Sequence, residues 1–202
     1  VPSLLWAIWF IDSGARFRYW LALALMLLTR EDMSLLACFV GAYAILQRRP
    51  LTGLATIVVA IAYLAFVKLK MMNDPGLMMA GGKDSMSYVF FYEDMIPHES
   101  EGLRGLVISL VTNPGFALKI LLLEKKVFFF LALLGPLLFL PFIAGRKGVM
   151  MIYGAIFLGL ASRHHVYSLH FQYSSVLFPI LLASLPDAIA RASESRVTRA
   201  LG

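Results

Sequence analysis

The sequence predicts an all-α protein: a polytopic bundle of transmembrane helices with about six to seven membrane segments and one long outer loop. Three observations carry this reading. The 202 residues are 60% hydrophobic and only 15% charged, against about 45–50% and about 25% in soluble domains. The mean hydropathy is +0.79. The apolar residues are gathered into long runs, and the cations stand mostly at the ends of those runs.

The apolar runs cover residues 1–11, 17–29, 33–46, 53–67, 127–144, 149–162 and 173–190. Crossing a hydrocarbon core of about 30 Å takes about 20 helical residues, so several runs must borrow from their flanks, tilt, or be shielded by neighbours. The chain begins "VPSLLWAIWF", without a Met or a basic leader, which is not a signal peptide and reads as the tail of a helix. Residues 1–202 read as a single transmembrane domain, incomplete at its N-terminus.

Basic residues in short loops set orientation. They stand at Arg16 and Arg18, at Arg48 and Arg49, at Arg146 and Lys147, and at Arg191, Arg196 and Arg199. Strict alternation of spans puts all four groups on one side, taken as cytoplasmic. The other side then receives "TREDM", the long region 68–126, and "RHHVYSLHFQ". Region 68–126 reads as an extracytoplasmic loop with interfacial helices: "EGLRGLVISLVTNPGFALKILLLEKK" has apolar residues at helical spacing, interrupted by Asn113-Pro114-Gly115. Pro136 and Pro141 predict kinks in the fifth span, and Pro179 and Pro186 in the last.

Ionisable residues near a bilayer usually face a protein interior or a wet cavity. Arg30, Glu31 and Asp32 interrupt an apolar stretch, and two uses compete for them. They form a solvated turn in which Thr29 or Asp32 caps the next helix, or they do chemistry. In the second case Glu31 or Asp32 acts as a base or holds a divalent cation, and Arg30 pairs with a phosphate. Arg163, His164, His165, Tyr167, His170, Gln172 and Tyr173 form a second group. It is either an interfacial belt or a patch that receives an anionic head group. The spacing of His165 and His170 fits no standard helical zinc pair. A third group, Asp84, Tyr88, Tyr92, Glu93, Asp94, His98, Glu99 and Glu101, is a solvated loop or a lid over an outward cavity. Cys38, the only cysteine, lies inside an apolar run and excludes an internal disulfide. The net charge of +6 does not imply nucleic acid, because no basic stripe with interleaved aromatics is present. No Walker loop, dinucleotide fingerprint, nucleophile elbow or HExxH occurs.

Three stretches, "LALALMLLTREDMSLLACFVGAYAILQRRPLTGLA", "VFFFLALLGPLLFLPFIAGRKGVMMIYGAIFLGLAS" and "HFQYSSVLFPILLASLPDAIAR", resemble in order and spacing the bacterial membrane family named domain of unknown function 2079. That family is similar to the GT-C glycosyltransferases. The resemblance implies a helical bundle with an outward-facing cavity in the bacterial cytoplasmic membrane. It also implies transfer of sugar from a polyprenyl-phosphate donor. The family's acidic pair falls on Glu31 and Asp32, with Arg30 where Lys is usual. Tyr173 matches, while Gln172 stands where His is usual and His170 lies two residues earlier. The catalytic acid of GT-C enzymes follows their first helix, a region that would precede Val1. The expected function is a glycosyltransferase-like membrane protein. Its catalytic candidates are Glu31 and Asp32, with Arg30, Arg163, His164, His165, His170 and Tyr173 holding phosphate and lipid. The expected partners are membrane lipids. The alternative is a non-catalytic subunit within a larger membrane complex.

Overall fold

The computed structural model describes residues 2–30, 32–71, 88–96, 102–170 and 173–200, and every regular element among them is helical. The helices are α1 (Pro2–Ser13), α2 (Arg16–Leu27), α3 (Met33–Leu46), α4 (Pro50–Phe66), α5 (Gly102–Thr112), α6 (Pro114–Leu121), α7 (Glu124–Leu134), α8 (Gly148–Tyr153) and α9 (Leu177–Ala200). Shorter 3₁₀ and π turns join them.

The first four helices are two antiparallel hairpins. Gly14, with φ +83°, makes the turn from α1 to α2, a conformation that costs glycine nothing. The α3–α4 hairpin packs at backbone distance. A Cβ placed on Gly53 would lie 2.5 Å from the carbonyl oxygen of Gly41, so neither position has room for a side chain. Such small-residue contacts let helices approach closely where burial from lipid supplies little drive.

The exposed face of α4 is the informative one. Gly53, Thr56 and Ala60 are buried, while Leu51, Leu54, Val58 and Ile61 point outward, Leu51 at 83% exposure and Val58 at 64%. A soluble amphipathic helix does the reverse, hiding its large apolar side chains. The pattern suits a helix whose outer solvent is hydrocarbon. One described helix, Ser174–Glu194, is long and apolar enough to cross a membrane by length and composition; Met33–Leu46 and Pro50–Phe66 are apolar but shorter.

Several expectations change in the structure. Residues 127–144 do not form one kinked helix. α7 stops at Leu134, and Leu138 and Phe139 take left-handed φ of 51° and 56° between short 3₁₀ turns. Pro136 and Pro141 each remove a backbone donor, and two such losses five residues apart end the helix instead of bending it. Pro179 falls in the first turn of α9, where its missing N–H breaks no helical bond, and Pro186 stays inside the helix. Residues 149–162 form α8 followed by a π turn over Gly154–Gly159. The break at Asn113 is as expected: its side chain accepts the Phe116 N–H at 3.2 Å and caps α6.

Polar bonds cross the bundle at two levels. Between α2 and α4, the Tyr19 and Thr56 hydroxyls meet at 2.6 Å, both buried. Thr56 donates to the Thr52 carbonyl, so Tyr19 is the donor of the shared bond. At the end of the bundle that holds the α1–α2 and α3–α4 turns, a longer chain forms. Arg146 donates to Gln47 at 3.2 Å, Gln47 to Tyr43 at 2.7 Å, and Tyr43 to Asp12 at 2.5 Å. Lys147, 6% exposed, closes the chain with bonds of 3.0 Å to Asp12, Asp187 and the Ala183 carbonyl. All three of its hydrogens are used. Burial alone would lower its pKa, but the bonds from Asp187 and Asp12 outweigh that and raise it. Arg49 lies against Gly14 and Arg191 donates to the Ile143 carbonyl at 3.4 Å, so the basic loop groups gather at this same end.

Thr56→Val strands the buried Tyr19 hydroxyl and is expected to cost about 1–3 kcal/mol in detergent unfolding, with most of the loss recovered in the Tyr19→Phe, Thr56→Val double variant. Lys147→Met is expected to cost about 1–2 kcal/mol, less than a fully buried pair would, because Asp12 and Asp187 retain 33% and 43% exposure.

Candidate functional site

The opposite end of the bundle collects the residues singled out from the sequence. α2 ends at Leu27 and α3 begins at Met33, and the turn between them carries Arg30 and Asp32. These two form an ion pair at 2.6 Å, with side chains 26% and 14% exposed. Asp32 stands at the N-cap position of α3 but makes no side-chain cap: its backbone is already helical, with φ -69° and ψ -18°, instead of in the extended region that aims a capping oxygen at the first amides. Thr29 does not cap either; its hydroxyl donates back to the Met26 carbonyl at 2.6 Å. The expectation of a cap is therefore corrected. Glu31 lies outside the described residues.

The Arg30 guanidinium lies 4.8 Å from the centre of the Tyr173 ring, a cation–π contact. Tyr173 meets the edge of Phe91 at 5.8 Å, and Phe91 meets His165 at 5.9 Å. Phe91 belongs to the 3₁₀ turn Tyr88–Met95. That turn is fastened by four bonds, one to the π turn and three to the segment that follows it. The Ser162 N–H donates to the Phe91 carbonyl at 2.7 Å and the Asp94 N–H to the Ser162 hydroxyl at 3.0 Å. The Tyr92 hydroxyl donates to the Phe157 carbonyl at 2.9 Å, and Arg163 pairs with Glu93 at 2.7 Å. Burial, and then the charge of Asp32, push the Tyr92 hydroxyl above its ordinary range.

Arg30, Asp32, His165 and Tyr173 thus form one assembly with Phe91 at its centre. Arg163 is tied to that assembly's 3₁₀ turn. His164 sits beside it, its ring 5.3 Å from Tyr167. His170 is exposed, and only its backbone N–H is engaged among the described residues. Gln172, Asp84, His98, Glu99 and Glu101 lie outside the described residues, as does the Tyr88 side chain. Among the described residues no group of three or more His, Cys, Asp or Glu side chains stands together in a way that could hold a metal ion. A cavity of about 70 Å³ lies away from the charges, between Phe130, Leu134, Met151, Leu177 and Leu181. Its lining is apolar, so it offers no chemistry.

Lys126 belongs to this end and was not singled out from the sequence. It reads there as one more loop cation beside Lys125. It stands in the first turn of α7, is 2% exposed, and its ammonium has no hydrogen-bond partner among the described residues. The Tyr167 ring lies 5.3 Å from its Nζ. Burial pulls its pKa down to about 8, with Asp94 opposing. The Tyr167 hydroxyl is raised by burial and by Asp94. Nothing in a single sequence separates Lys126 from Lys125, because the difference is which one faces inward.

A depressed lysine pKa means that the folded state pays for the charge. The penalty is complete below about pH 8 and fades as pH approaches the ordinary value of 10.5, where the unfolded chain also loses its proton. Lys126→Met is accordingly expected to raise the melting temperature at pH 7, with the gap to wild type closing by pH 10; parallel thermal scans check this.

No curated protein and no solved structure matches the chain. The family model described as "Predicted membrane protein (DUF2079)" matches residues 1–201. With the outward apolar face of α4 and the apolar helices already described, that match identifies the chain as a member of the DUF2079 family of predicted membrane proteins.

Proposed function

We propose that this protein is a multi-pass protein of the bacterial cytoplasmic membrane, glycosyltransferase-like, acting on a polyprenyl-phosphate-linked sugar at its extracytoplasmic end. One observation carries the reading. Residues far apart in the chain, Arg30 with Asp32, Phe91 with Glu93, and Arg163 with His165 and Tyr173, converge on one end of the bundle. That end is opposite the one where the basic loop residues gather. Mixed charge and aromatic faces in one place suit a phosphorylated sugar, whose phosphate takes cations and whose ring takes an aromatic wall.

In this reading an acceptor hydroxyl attacks the anomeric carbon from the side opposite the phosphate. The carbon–oxygen bond to phosphate breaks, the phosphate leaves with the electron pair, and configuration inverts. Asp32 or Glu31 takes the hydroxyl proton. Arg30 and Arg163 offset the charge that grows on the phosphate. For Arg30 to do so its bond to Asp32 must loosen, which at the same moment frees the carboxylate to act as a base. The long region 68–126 is the outer loop that supplies the Phe91–Asp94 wall.

Asp32→Asn and Glu31→Gln are expected to lower lipid-dependent glycan transfer in membranes by at least about a hundredfold in one of the two; unchanged transfer in both sinks the catalytic role and favours a subunit of a larger complex. Sidedness has its own test. In a Cys38→Ser background, His164→Cys is expected to react with an impermeant maleimide on spheroplasts and Ser13→Cys only after lysis.

A further inference from the structure

We propose that Lys126 is the residue that receives a phosphate anion at the outer end of the bundle. The proposal rests on the head-group reading above and deepens it, since that reading names only the two arginines. Both arginines already hold a carboxylate: Arg30 is bound to Asp32 and Arg163 to Glu93, at 2.6 and 2.7 Å. Each pair is internally neutral. Lys126 is different in kind.

Two lysines in the described structure are almost wholly buried, Lys126 at 2% and Lys147 at 6% exposure. Lys147 spends its three hydrogens on two carboxylates and a carbonyl. Lys126 spends none on a described acceptor. An ammonium carries three donors and no acceptor, and burying it unbonded is costly. The Tyr167 ring at 5.3 Å returns only a part of that cost. Asp94 makes no ion pair with it, and acts only through its field.

The place also has the wrong sign for a resident cation. Lys126 lies in the first turn of the eleven-residue helix α7, whose dipole there favours an anion. A phosphate satisfies both demands at once. Its oxygens accept from the ammonium of a lysine, which binds phosphate as a compact point charge. Phe128 and Leu131, which follow on the exposed side of α7, are apolar, which sets the anion at the mouth of a helix with one face turned to hydrocarbon. That position favours the phosphate of a lipid over free phosphate.

The test uses the full chain purified in a neutral maltoside detergent, titrated by calorimetry with dodecyl phosphate and, separately, with inorganic phosphate. Wild type is expected to bind dodecyl phosphate, and Lys126→Met to bind it at least about tenfold more weakly. Lys126→Arg, which keeps the charge, should retain part of the affinity and guards against a misfolded Met variant. Tighter binding of dodecyl phosphate than of inorganic phosphate supports a lipid ligand, and equal Lys126-dependent binding supports free phosphate. Binding that is unchanged in Lys126→Met, or absent in wild type, overturns the assignment. So does a Lys126→Met protein that loses stability without ligand, the mark of a structural lysine. The transferase reading fails separately: Lys126-dependent binding together with unchanged transfer in Asp32→Asn and Glu31→Gln keeps the anion site and removes the chemistry.

Discussion

The three bonds of Lys147 hold together the end of the molecule on which the rest is built. One ammonium joins Asp12 at the end of α1, Asp187 in α9 and the Ala183 carbonyl. Through Asp12 it reaches Tyr43 and Gln47 of α3, and through Gln47 it reaches Arg146. Helices from the start, middle and end of the chain are therefore fastened at one point. In a medium that gives helices little reason to associate by burial, directed polar bonds and close backbone contact must carry that work. The Tyr19–Thr56 bond and the Gly41–Gly53 contact are the other two instances.

With one end fastened, the other end is free to be assembled from short and irregular pieces. α8 relaxes into a π turn, and a 3₁₀ turn carries Phe91 to Tyr173 and His165. Irregular backbone exposes groups that regular helices consume. The Phe157 carbonyl, inside the π turn, is taken by Tyr92, and Ser162 is used twice to pin the 3₁₀ turn. The polar assembly at this end follows from where the helices stop.

The two buried lysines divide the molecule by role. Lys147 is satisfied, and its pKa is raised by its partners. Lys126 is unsatisfied, and its pKa is lowered by burial. The same residue type at the same depth thus has opposite electrostatics at the two ends. Removing one partner of a bonded buried charge is costly, whereas an unbonded buried charge itself costs the fold stability.

Much of this was legible in the residues themselves. The apolar runs located α1 to α4 and α9 closely, residues 33–46 coinciding with α3, because long runs of one solvent preference need no partner to be recognised. The break at Asn113-Pro114-Gly115 and the gathering of the basic loops at one end followed from local chemistry and charge alone. The grouping of Arg30, Asp32, His165, Arg163 and Tyr173 was anticipated only as two separate patches on one side. Their contact through Phe91 depends on a turn more than fifty residues from either patch, which no local pattern encodes. The structure also decided that Asp32 pairs with Arg30 and keeps a helical backbone, which leaves α3 without a side-chain cap. It decided that Lys126 is buried and Lys125 is not. A sequence records that a charge is present and what surrounds it along the chain; whether that charge meets a partner is set by elements that arrive from elsewhere.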